Sequence, residues 1–278
     1  MTIRTILAYL PTQTAAQAVL AAARIIAEPR GGFVTGIHLT QAFPAFGEFA
    51  TEIYEVRQQQ SEAAQAEAAA VKELFDERAQ KTTVPHEWMN HTVPYKLGVE
   101  LMVDAARTAD LVIFGKPEAA HAYWGGDLAD IVLIQSGRPL LIVPPSFQNG
   151  RIGDRVVIAW NNTREAARAV FDSLDLIRDA SSVRVITHIR DETERSAAEA
   201  SNAALVTTLR CHVAQVSGEV GQTDGSGMTE ELLARMADHQ CDLLVMGGYG
   251  HSRFSEMIFG GVSREILRQT TVPTLLSH

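Results

Sequence analysis

Cysteine is nearly missing from this chain: Cys211 and Cys241 are the only two in 278 residues. Two are too few for a disulfide framework and fit a reducing compartment, where each is expected as a small buried apolar group. Cys211 with the adjacent His212 lacks the ligand spacing of a metal site. Long apolar runs are missing as well. No stretch reaches the ~18 residues that a membrane span needs, and no charged-then-apolar leader follows Met1, so a soluble, cytoplasmic protein with no membrane partner is expected. Basic charge is in deficit, with 24 Lys and Arg against 33 Asp and Glu. The resulting net charge of −9 argues against nucleic acid as a main partner, because phosphate-backbone affinity depends on clustered cations. A local anion site is still compatible with it. Catalytic signatures are lacking too: there is no Cys-His or Gly-x-Ser-x-Gly nucleophile arrangement and no His-Glu-x-x-His helix. No residue is therefore assigned a catalytic or metal-binding role, and an enzyme is not expected.

What the chain has is length, a 46% hydrophobic composition, and an internal repeat. Its size allows two domains of about 140 residues, each with its own core. "TILAYLPTQTAAQAV" (5–19) aligns without a gap to "VVIAWNNTREAARAV" (156–170), which sets Tyr9 against Trp160 and Leu10 against Asn161. Both copies continue as Thr-x-x-Ala-Ala-x-Ala-Val. The likeness returns in "DLVIFG" (110–115) and "DLLVMG" (242–247), then in "GRPLLIVP" (137–144) and "TVPTLLSH" (271–278). Between the copies, "PPSFQNGRIG" has the proline, glycine and polar content of a linker. This places one domain over 1–147 and a second over 151–278, with the boundary near Asn149.

Short apolar runs alternate with longer stretches of 3.6-residue period. In the second copy, strands are expected over Arg155–Trp160, Ser182–Ile189, Asp242–Gly247 and Val272–Leu276, with a weaker one over Cys211–Val216. Helices are expected over Arg164–Asp179, Glu192–Leu209, Met228–His239 and Gly261–Gln269. Continuous apolar strands alternating with helices imply a parallel sheet covered on both faces. The fold class is α/β, a doubly wound domain used twice. In the first copy an alanine-rich stretch, Glu48–Gln80, reads as a solvated helix over the sheet with Val71, Leu74 and Phe75 inward.

Glycines gather at one strand end, in "DLLVMGGYG", and again in "FGGVSREIL", where a helix begins. Ligands of open parallel sheets bind beyond the carboxyl ends of the strands. Bare backbone there brings N–H groups close to an anion, and a helix N-terminus favours phosphate. Tight turns need glycines too, so spacing by itself leaves both readings open. The pattern is not a P-loop, since no Gly-Lys-Ser or Gly-Lys-Thr follows. Nor is it Gly-x-Gly-x-x-Gly after the first strand, where "WNNTRE" stands.

The tandem layout and the Gly247-x2-Gly250-x9-Gly260 spacing resemble the universal stress protein family in its two-domain form, over essentially the whole chain. The resemblance implies a five-stranded parallel, Rossmann-like sheet per domain and, as in many members, binding of ATP or a related adenine nucleotide with Mg²⁺. Carried over, the phosphate-binding positions are Gly247, Gly250, Gly260, Gly261, Val262 and Ser263. Ile189 takes the position whose backbone meets adenine, and Asn161 that of an acidic residue after the first strand. Two departures stand out: Asn161 brings no carboxylate, and Gly261 replaces a serine or threonine. One lost hydroxyl contact removes roughly 0.5–1.5 kcal/mol, with Ser263 placed to substitute.

The first copy lacks these features. Leu10 replaces the polar residue, "KPEAA" follows Gly115, and Asp127 faces Gly261 with a carboxylate that would repel phosphate. Lys116 there reads as a surface charge that could attract an anion. The first domain is thus expected to be structural. Its "LLIVP" would pair antiparallel with "TLLSH" in an internal pseudo-dimer that covers two sheet edges. A homodimer and unknown protein partners also remain open. His251 and Arg253 stand beside the glycines, where either could meet phosphate or simply face water. His188 reads as a core or rim histidine held by a backbone carbonyl, while Tyr9 and Trp160 read as packing residues. The leading function is a stress-response protein holding an adenine nucleotide in its C-terminal domain. The alternatives are a nucleotide-free stress protein acting through partners, and a slow ATP hydrolase, which lacks a general base.

Overall fold

The computed structural model describes residues 2–42, 51–116, 127–223, 227–248 and 261–278. The first half runs β1 (Thr5–Tyr9), α1 (Gln13–Ala27), β2 (Phe33–Gln41), α2 (Thr51–Gln80), β3 (His86–Val93), α3 (Tyr95–Arg107), β4 (Leu111–Gly115), α4 (Leu128–Ser136), β5 (Leu140–Val143). The second repeats the alternation: β6 (Arg155–Ala159), α5 (Arg164–Ile177), β7 (Ser182–Ile189), α6 (Arg195–Leu209), β8 (Val216–Gln222), α7 (Met228–Asp238), β9 (Leu243–Gly247), α8 (Gly261–Gln269), β10 (Thr274–Ser277).

All ten strands join one sheet, in the order β3-β2-β1-β4-β5-β10-β9-β6-β7-β8. Every neighbouring pair is parallel except β5 and β10, which pair antiparallel with Leu275 opposite Leu141. The expected "LLIVP" and "TLLSH" pairing is therefore present. Its physical reason is local: both strands are short and fully buried, and an unpaired apolar edge is an aggregation hazard. Because the two strands run in opposite directions, the carboxyl ends of the two halves lie on opposite edges of the sheet.

Each sheet face carries its own core. One buries residues of α1, α2, α5 and α6, among them Val19, Val71, Val170 and Leu205. The other buries residues of α3, α4, α7 and α8, including Met102, Leu133, Met236 and Ile266. In α2, Val71, Leu74 and Phe75 are buried as expected. Phe75 lies over β2 where a Cβ on Gly36 would stand 2.5 Å from its ring. A partly buried ion pair also joins the halves: Arg30 Nε lies 2.7 Å from Asp175 Oδ2, and the same oxygen accepts from the Ile3 amide.

Several local expectations are corrected. The weak strand lies over Val216–Gln222, not Cys211–Val216. The amides of Cys211, His212 and Val213 instead bond back to Thr208 and Leu209 and close the end of α6. β8 reads "VSGEVGQ", with too few apolar residues to announce itself, and Gly218 in it makes room for the buried Asn202 side chain. Cys211 is exposed, whereas Cys241 is buried. His188 has its Nε2 3.6 Å from Glu231 Oε2, an approach too long for a hydrogen bond, in place of the expected carbonyl partner.

The sheet register also revises the gapless repeat. Ile6 of β1 and Val156 of β6 each pair with the first leucine of the matching "DL" strand, Leu111 and Leu243. Leu10 therefore corresponds to Trp160, not to Asn161. Both lie in the same core layer, while Tyr9 packs on the opposite face against Phe114, ring centroids 4.9 Å apart. The helices realign at Thr12 and Thr163, whose hydroxyls cap α1 and α5 by accepting from Ala15 and Ala166. The connection from β6 to α5 is one residue longer, and Asn162 in it takes the left-handed conformation, φ 57°. Asparagine tolerates that region better than most residues.

Candidate functional site

In the second half the chain starts at the middle strand and winds outward both ways, so β6 lies between β7 and β9. At such a reversal the connections leave the carboxyl ends of β6 and β9 toward opposite faces and open a crevice. Asn161 and Gly247 flank it, since Ala159 pairs with Met246 at the ends of the two strands.

Trp160 closes the floor on the α6 side, buried, with Nε1 donating to Ser201 Oγ at 2.9 Å. Asn161 is exposed, and its Oδ1 accepts from Thr163 Oγ1 at 2.9 Å. What Asn161 can offer a ligand is its side-chain NH₂, a donor and not a charge. Thr163 thus has two tasks, capping α5 and orienting Asn161.

Glu165, in the first turn of α5, is buried and bonded to Arg164 Nε at 3.1 Å. Burial pushes its carboxyl up, but its own amide, Arg164 and His278 outweigh that and hold it below the usual range. The positive end of α5 is consequently satisfied by a carboxylate of the chain itself.

Gly247 closes β9 against this helix start. A Cβ on it would stand 2.5 Å from Ala166 N and 2.8 Å from the Glu165 carbonyl carbon. Neither Gly247 nor Gly248 has positive φ, so their bareness serves close approach and not a special turn. The Gly248 amide donates to Ser277 O at 2.9 Å. Ile189 ends β7 with its side chain buried, and its carbonyl accepts from Thr223 N at 2.9 Å. Gly261, Val262 and Ser263 open α8, which begins where expected. Gly250, Gly260, His251 and Arg253 lie outside the described residues.

The opposite carboxyl edge, in the first half, is filled. Leu10 is fully buried, and its carbonyl lies 2.7 Å from His38 Nδ1. Phe75 and Trp88 pack over the same strands, ring centroids 5.1 Å apart. Glu67 of α2 accepts from the amide of Gln13 at the start of α1. Asp127 precedes α4, exposed, as its cap residue. Lys116 is not simply solvated: its Nζ donates to Thr270 O, across the junction between halves, at 3.1 Å.

Sequence reasoning missed Glu165, Ser201 and Glu67. Only Glu165 left a trace, as an acid in the first turn of a capped helix. Among the described residues no cluster of His, Cys, Asp or Glu could hold a metal ion, and no helix is long and apolar enough to cross a membrane.

Comparison with known proteins agrees with this architecture. Residues 154–278 match the model of the universal stress protein family. A universal stress protein of Synechocystis is 23% identical over 191 residues, which is 66% of this chain; the matched region spans 63% of that relative's length. The crystal structure of a universal stress protein from Archaeoglobus fulgidus superposes with a TM-score of 0.69 at 14% identity, over 99% of this chain and 96% of that one. A putative universal stress protein from Pseudomonas aeruginosa gives 0.56 at 14% identity, over 99% and 93%.

Proposed function

We propose that the second half, whose residues 154–278 match the model of the universal stress protein family, binds an adenine nucleotide of the ATP type between the carboxyl ends of β6 and β9. Mg²⁺ would arrive on the phosphates. The observation that carries the reading is the strand reversal between β6 and β9, flanked by exposed Asn161 and bare Gly247, with α8 starting at Gly261. The α5 terminus is taken by Glu165, which leaves α8 as the helix end for phosphate. Asn161 would donate to base or ribose.

The first half acts as a structural partner in this reading, its edge closed by Leu10, His38, Phe75 and Glu67. Binding without turnover is the expected activity. Glu165, bonded to Arg164 and with its pKa held down, is a poor general base.

Calorimetry of the full chain with ATP and Mg²⁺ tests the proposal. One site per chain is expected, weakened at least tenfold by Gly261→Asp, which places a carboxylate at the helix start. Wild-type protein that binds no nucleotide, and carries none through purification, would overturn it. The second reading, a nucleotide-free protein acting through partners, would then stand on Asn161, which brings no carboxylate to a base or ribose, and on Glu165, whose carboxylate repels a phosphate.

A further inference from the structure

The two halves meet reciprocally beside their glycine-ended strands. Gly248, following the last residue of β9, has Leu133 of α4 packed over its α-carbon: a Cβ there would stand 2.8 Å from Leu133 Cδ2. Lys116, following the last residue of β4, reaches the other way. Its amide is fixed to Val143 O at 2.7 Å, and its ammonium bonds Thr270 O just beyond the end of α8. Thr270 is buried, and its own amide closes the helix on Ile266 O at 2.7 Å. A cation at a helix carboxyl end is favourable in charge as well as geometry.

We propose that Lys116 of the first half is a positioning residue for the nucleotide site of the second half, setting the placement of α8 by anchoring its carboxyl end. The inference rests on the nucleotide reading above. α8 has nine residues, about 13 Å of helix that moves as a rod, so freedom at Thr270 becomes displacement at Gly261. Hydrogen bonds to phosphate need placement within about 0.5 Å. The first half thereby acts on a ligand that it does not touch.

The test uses the full chain with Lys116→Met, Lys116→Arg and, as a surface control, Lys72→Ala. Nucleotide affinity is measured by calorimetry with ATP and Mg²⁺, and amide hydrogen exchange is followed in the last turn of α8 without ligand. Lys116→Met is expected to speed exchange there and weaken binding about three- to tenfold. Lys116→Arg should restore both, and Lys72→Ala should match wild type. Faster exchange with unchanged affinity would reduce Lys116 to a structural tie and overturn the inference while leaving the nucleotide site intact. Loss of binding in Lys116→Met that Lys116→Arg does not restore would also overturn it. Wild type that binds no nucleotide would remove the reading on which the inference depends.

Discussion

Gly247 and Gly115 occupy the same place in the two halves, and their surroundings differ in what a methyl group would strike. At Gly247 it meets backbone, Ala166 N at 2.5 Å; at Gly115 it meets the Ala15 Cβ at 3.1 Å. Backbone of a capped helix cannot retreat, whereas the Ala15 contact asks for a shift of a few tenths of an ångström. Gly247→Ala is expected to destabilise the protein by about 2 kcal/mol or more, and Gly115→Ala by under about 1 kcal/mol, in guanidinium denaturation. Equal costs would show that the close approach to α5 is not what Gly247 serves. The glycine that most invited a phosphate reading thus has a packing duty that its counterpart shares.

At the scale of elements, α1 and α5 begin alike. A threonine hydroxyl accepts the amide of the third residue on, Ala15 or Ala166. Thr12→Ala and Thr163→Ala should each cost about 1 kcal/mol, and the double variant their sum, because the caps are far apart and share no partner. Thr163→Ala should in addition weaken nucleotide binding, since it releases Asn161, whereas Thr12→Ala should leave binding unchanged. Most elements were legible from periodicity, including α8 to the residue and α2 nearly so. β8 was not, since Gly218 and Gly221 interrupt its apolar pattern, and the glycine that weakens it in sequence is the one that seats Asn202. The β6–α5 connection misled for a different reason: a gapless alignment scores residue likeness, and a single added residue in the left-handed conformation leaves no compositional mark.

For the whole molecule, the halves are joined by the β5–β10 pairing and by Arg30 on Asp175. Burial raises the Asp175 carboxyl, but the Arg30 hydrogen bond, the Ile3 amide and the charges of Arg30 and Arg178 outweigh it and bring the pKa below the ordinary aspartate value. A depressed folded-state pKa contributes stability above the unfolded value of about 3.9 and loses it as pH falls through the lower folded value. Asp175→Asn should therefore destabilise by about 3 kcal/mol at neutral pH, at the low end for breaking a buried pair. The difference from wild type should narrow below about pH 4. A gap between the two denaturation curves that stays constant down to pH 2 would mean that Asp175 acts through packing and not through its charge.

By itself the sequence determined the α/β class, the repeat, the apolar strands and the start of α8, because each follows from local periodicity or from composition that neighbours in the chain share. It also singled out Asn161 and Gly247, which the fold sets at the carboxyl ends of the neighbouring strands β6 and β9. Only the tertiary structure decided that Gly247 presses on α5, that Glu165 satisfies the end of that helix, that Glu67 closes the first half's edge and that Lys116 holds Thr270. These contacts join residues far apart in the chain. Their partners are chosen by sheet order and by the antiparallel meeting of β5 with β10, which no local pattern records.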